Sequence, residues 1–149
     1  MPHFTLQTSP QGPLLNAVVG ISQERHVALM AANLPIPASI PIRALVDTGA
    51  SVTCIDPSIL QSLALSPTGN ATINTPSTGN SPIDVDQYDV GLIVPPSAGN
   101  QHALILGTVA VICSELLISQ GFHALIGRDI LAHCLFYYNG VNGLFTIAY

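Results

Sequence analysis

Charge is scarce in this chain. Of 149 residues only 7% are charged, and the basic side chains are three arginines, Arg25, Arg43 and Arg128. With a net charge of −5 there is no basic stripe of the kind nucleic-acid binding requires, so no nucleic-acid partner is expected. Long apolar runs are missing too. The most apolar segments are 27–32 and 103–113, the second interrupted by Gly107 and Thr108. Both fall short of the roughly 18 to 20 continuous apolar residues of a spanning helix, and no membrane span is expected. The N-terminus lacks a basic region followed by an apolar block, so no secretory signal is read there. Cysteine is limited to Cys54, Cys113 and Cys134, odd in number and without metal-type pairing. They read as reduced core thiols, which suits a cytoplasmic protein or a soluble domain of a longer one. His3, His26, His102, His123 and His133 share no ligand spacing on one element, so neither metal nor cofactor is expected. The absence of a Gly-x-Ser-x-Gly elbow argues against a serine hydrolase. Cys54, set in an apolar strand that disfavours a thiolate, argues against a cysteine hydrolase.

What is present is apolar. Hydrophobic residues make up 48% of the sequence, enough for a single domain spanning residues 1–149 with its own core. So few charges beside so much apolar surface suit a chain that buries a large face in an obligate dimer. Short β-prone segments recur at 4–6, 14–21, 27–30, 42–46, 52–55, 71–75, 81–90 and 144–149, with one or two more within 103–113. Turn chemistry separates them at 23–26, 76–80, 95–100 and 138–140, and Pro35, Pro37 and Pro41 punctuate the loop 33–41. Two short helices are expected. One starts at Asp56-Pro57, with Asp as cap and Pro at the first position, and ends near Leu65. The other covers 129–134. The pattern is all-β.

The most informative stretch is Leu45-Val46-Asp47-Thr48-Gly49-Ala50-Ser51, which sets one carboxylate on a tight turn behind apolar strand residues. A second informative stretch is Leu125-Ile126-Gly127-Arg128-Asp129. By itself Asp-Thr-Gly is also an ordinary turn, since Asp and Gly are favoured there. Together, the two stretches make the chain resemble the retropepsin-like (retroviral-type) aspartic proteases, as a cellular or bacterial member rather than a minimal viral one.

That resemblance implies a closed β-barrel-like domain with a flap hairpin, one or two short helices and a two-fold symmetric homodimer. Two facing aspartates would share a proton and activate a water against a peptide bond. Asp47 is the catalytic candidate. Because no second Asp-Thr-Gly or Asp-Ser-Gly occurs in the sequence, its partner must come from a second copy of the chain. Thr48 and Gly49 would support the turn, the first by locking two turns together and the second by allowing close approach. Ala50 and Ser51 would line the cleft floor. Ser77, Thr78, Gly79 and Asn80 would form the flap tip over a peptide or protein substrate. His123, Leu125 and Ile126 would wall the substrate pockets, with Gly127, Arg128 and Asp129 structural beside them. The terminal strand would interleave with its partner's at the dimer interface. Viral relatives place an Asp where Ser51 stands, as a partner for the Arg of Gly-Arg-Asn/Asp, so Arg128 needs another partner here. The other implied function is a non-catalytic dimer of the same fold, serving as a peptide-binding or assembly module.

Overall fold

The computed structural model describes residues 1–74, 79, 81–96, 102–115 and 118–149. Its centre is a closed barrel of six strands. In chain order the strands are β1 (His3–Gln7), β2 (Leu14–Ile21), β3 (Ile40–Val46), β4 (Cys54–Ile55), β5 (Gly69–Ile73), β6 (Ile83–Val94), β7 (Leu104–Cys113), β8 (Ala124–Ile126), β9 (Leu135–Asn139) and β10 (Leu144–Ala148). Hydrogen bonding follows β2-β3-β8-β4-β7-β6, and β2 pairs again with β6 to close the ring. Closure forces backbones together at Gly91, where an added Cβ would lie 2.8 Å from the Ile21 carbonyl oxygen. The ladder between β6 and β7 shifts register there, between Val90 and Leu92, as barrel corners commonly do. β5 lies outside the ring and makes an antiparallel hairpin with the first half of β6.

Alternation fills the barrel. Ile42, Ala44 and Val46 point inward from β3 while Arg43 is exposed and Leu45 half-buried. Val19, Ala44, Ile55, Leu63, Val90, Ala124 and Phe145 are completely enclosed. A second, three-stranded sheet of order β1-β10-β9 covers one side, contributing Phe4, Phe145 and Ile147 to the same core.

Among the described residues three α-helices, α1 (Gln23–Ala31), α2 (Pro57–Ser62) and α3 (Arg128–Leu131), and a 3-10 turn at Ile118–Gln120 complete the fold. Asp56 caps α2 as expected, its side chain accepting from the Ser58 N–H at 2.9 Å. The expected turn at 23–26 and strand at 27–30 are instead the single helix α1. Val27-Ala28-Leu29-Met30 is too short for periodicity to separate strand from helix. The deciding signal is Ser22, whose hydroxyl accepts from the Arg25 N–H and caps the chain into a helix.

Other expectations shift in detail. Segment 103–113 is one strand with both partly exposed and buried positions. β9 occupies residues expected only to approach a turn, and the turn itself falls at 140–143. The terminal strand is not free to interleave, because β10 is paired on one side with β1 and on the other with β9 of its own chain. The edges of that sheet are β1 and β9.

Candidate active site

Asp47 leaves the barrel at the end of β3. Its backbone N–H donates to the Ile126 carbonyl at 3.0 Å, extending the parallel β3–β8 ladder by one bond. The chain then turns: the Ala50 N–H donates to the Asp47 carbonyl, and the Gly49 N–H donates to Asp47 Oδ1 at 2.8 Å. A backbone donor aimed at a carboxylate oxygen fixes how the side chain is oriented. A Cβ on residue 49 would lie 3.1 Å from Oδ1, so glycine keeps this approach open. Asp47 and Ala50 are half-buried, whereas Thr48, Gly49 and Ser51 are exposed on the outside of the turn.

The second stretch locks the turn from behind. The Arg128 N–H donates to the Ala50 carbonyl at 2.9 Å. Gly127 presses against the segment after the turn so closely that an added Cβ would sit 2.7 Å from the Val52 carbonyl carbon. Its N–H donates to Thr53 Oγ1 at 3.0 Å. Thr53 Oγ1 in turn donates to Asp129 Oδ1 at 2.8 Å, and the Thr53 N–H donates to Asp129 Oδ2 at 2.9 Å. Asp129 also accepts from the Ile130 N–H. Asp129 therefore does the bridging across the site, while Arg128 contributes its backbone and keeps an exposed side chain. Thr53, only 1% exposed, was missed in the sequence; a hydroxyl inside the apolar run Val52–Ile55 was the available signal, because buried hydroxyls need partners.

Cys54 lies next to this network. Its thiol is pushed up to about 11, first by burial and then by the nearby Asp129 and Asp47 carboxylates. Such a thiol stays protonated and unreactive at neutral pH.

The remaining candidates divide by face. β3 and β8 run in register, Leu45 beside Leu125 and Val46 beside Ile126. Since side chains alternate, Leu45 and Leu125 flank the Asp47 side, and Leu14 joins them from β2. Ile126 points the other way and is 2% exposed in the core, which corrects its expected place in a substrate pocket. His123 lies on the Leu125 face but further from the turn, its Nδ1 accepting the Arg43 N–H at 3.1 Å. Gly79 is exposed with φ +59; Ser77, Thr78 and Asn80 lie outside the described residues. Among the described residues no group of His, Cys, Asp or Glu is arranged to hold a metal ion. Among the described residues no helix is long and apolar enough to cross a membrane.

Residues 36–94 match the family model described as aspartyl protease. No curated protein matches the chain. Among solved structures, the fold is similar to a retropepsin-like aspartic protease from Rickettsia conorii, with TM-score 0.59 and 14% identity over 99% of this chain and 90% of that one. The retroviral protease-like domain of Ddi1 from Leishmania major matches with TM-score 0.42 and 14% identity, covering 90% of this chain and 87% of that one. The chain thus has a retropepsin-like fold, and Asp47 lies inside the segment that matches the aspartyl protease model.

Proposed function

We propose that the chain is one half of a homodimeric aspartic endopeptidase. The observation that carries this reading is the exposed turn holding Asp47, with a backbone donor on its carboxylate. The chain's other aspartates are placed elsewhere: Asp56 caps α2, Asp129 binds Thr53, and Asp84, Asp86 and Asp89 lie along β6. The second carboxylate is Asp47 of a second copy across a two-fold axis.

At roughly 3 Å two carboxylates cannot both ionise and share one proton. The ionised one takes a proton from a water molecule as its oxygen attacks the scissile carbonyl, and the protonated one gives its proton to the carbonyl oxygen. The amine then leaves with a proton returned from the pair. The Gly49 N–H orients the Asp47 carboxylate, and the Thr48 hydroxyl, exposed in one protomer, bonds across the axis. Leu14, Leu45 and Leu125 support the peptide beside the turn, and the β5–β6 hairpin closes over it as a flap. Two protomers meet through the turns and the free edges β1 and β9, since β10 is already paired on both sides.

The test is cleavage of a mixed peptide library, inhibited by pepstatin, and its loss in Asp47→Asn. Removing an acid–base group should cost about 10²-fold or more while sedimentation still finds a folded dimer. Because the mechanism needs one acid and one base, rate against pH should be bell-shaped. Activity above about 1% in Asp47→Asn, or a rate rising steadily through pH 8, refutes the assignment.

A further inference from the structure

Beyond the rung of leucines beside Asp47, the same sheet face carries a second rung of different character. Asn16 is in register with Arg43, and Arg43 is tied to His123 by two bonds, Arg43 N–H to His123 Nδ1 at 3.1 Å and His123 N–H to the Arg43 carbonyl at 2.8 Å. Alternation puts Asn16, Arg43 and His123 on the side of Leu14, Leu45, Leu125 and Asp47. Around this rung the surface is hollowed into an open depression of about 340 Å³, lined by Asn16, Val18, Pro41, Arg43, Pro95 and His123 among others. It lies four residues from Asp47 along β3, about 13 Å at the usual strand rise.

Its polar groups suit an anion. Because His123 Nδ1 accepts a backbone N–H, the proton of the neutral ring sits on Nε2, which makes that nitrogen a donor. Arg43 is exposed and offers a planar fork that matches a carboxylate. The Asn16 amide adds a third donor. A chain with only three basic residues has set one of them at this depression, with no acidic residue in the lining.

We propose that this depression is a specificity pocket for a carboxylate side chain, glutamate or aspartate, of a bound peptide. The proposal rests on reading Asp47 as the peptide-cleaving centre. An extended peptide advances about 3.3 Å per residue, so the acidic side chain belongs about three to four residues from the scissile bond.

The experiment scans glutamate against glutamine through each position of a peptide. Binding is measured by calorimetry on Asp47→Asn, and cleavage is measured on the unmodified chain. At one position the glutamate peptide should bind about tenfold tighter or better, the worth of one charge-assisted hydrogen bond. Arg43→Gln should erase that preference, and Arg43→Glu should turn it toward lysine; neither disturbs the backbone bonds to His123. Equal binding of the two peptides, or a preference that survives Arg43→Gln, overturns the proposal. Preference without cleavage supports the pocket and counts against hydrolysis, whereas cleavage without preference keeps hydrolysis and overturns the pocket.

Discussion

Thr53→Val is the sharpest probe of how the turn is held. The change keeps shape and volume and removes one hydroxyl from a site that is 1% exposed. Two interactions go with it: acceptance from the Gly127 N–H at 3.0 Å and donation to Asp129 Oδ1 at 2.8 Å. The Gly127 N–H is then left buried without a partner, at a cost of about 1 to 3 kcal/mol. Asp129 loses one of three donors and keeps the N–H groups of Thr53 and Ile130, which limits its share to about 1 to 2 kcal/mol. The added methyl recovers less than about 1 kcal/mol. A net loss of about 3 kcal/mol follows, or about 6 to 12 °C in Tm for a chain of this length.

The measurement is urea or thermal unfolding at fixed protomer concentration, because the stability of the proposed dimer would depend on concentration. Thr53→Ser is the control: it retains the hydroxyl and loses one buried methyl, worth about 1 kcal/mol. The order should be unmodified chain, Ser, then Val. A valine variant within about 0.5 kcal/mol of the unmodified chain, or one more stable than serine, would refute the argument that this hydroxyl pins the turn.

Two further outcomes are expected. The folded chain holds the Cys54 proton up to about pH 11, above the ordinary thiol range, so its contribution is intact below that range and lost as pH rises toward 11. The unmodified chain should therefore lose on the order of 2 kcal/mol more than Cys54→Ala across that window, and equal slopes in alkaline unfolding titrations would reject this. Deleting residues 146–149 should unfold the chain rather than release a folded monomer, because the cut removes the middle of β10 and buried Ile147; a folded monomer by circular dichroism and sedimentation would contradict it.

The parts legible in the sequence are those governed by local chemistry. Asp56-Pro57 starts α2 through a cap bond two residues away, and Asp47-Thr48-Gly49 makes its turn with bonds between near neighbours. The strands of the barrel other than β8 announced themselves through apolar runs, but their ends did not, because pairing partners decide where a strand stops; the three residues of β8 are too few to show a period. β3 begins at Ile40 and includes Pro41, although proline normally ends a strand. Pro41 is tolerated because β8 pairs only with Ala44 to Val46, so the missing N–H interrupts no ladder on that side. β9 was hidden by the Asn139-Gly140 turn signal next to it.

The lock behind the turn was illegible for the opposite reason. Thr53 and Asp129 are 76 residues apart, and nothing local in either residue names the other. The same distance explains why Arg128 drew attention that belonged to Asp129, since a charge is more conspicuous in sequence than a buried hydroxyl. The consequence reaches the proposed dimer. Asp47 is fixed within one chain by the Ile126 carbonyl, the Gly49 N–H, the Arg128 to Ala50 bond and the Thr53 to Gly127 bond. The proposed association would have only to align two turns that already have their shape, so its cost would lie in lost rigid-body freedom more than in ordering loops. Interleaved chain ends would supply a different kind of stability, in which neither protomer is complete alone. Here β10 completes the sheet of its own protomer, and the residues left exposed by the turn, Thr48, Gly49 and Ser51, are the ones that a two-fold axis through the site would cover.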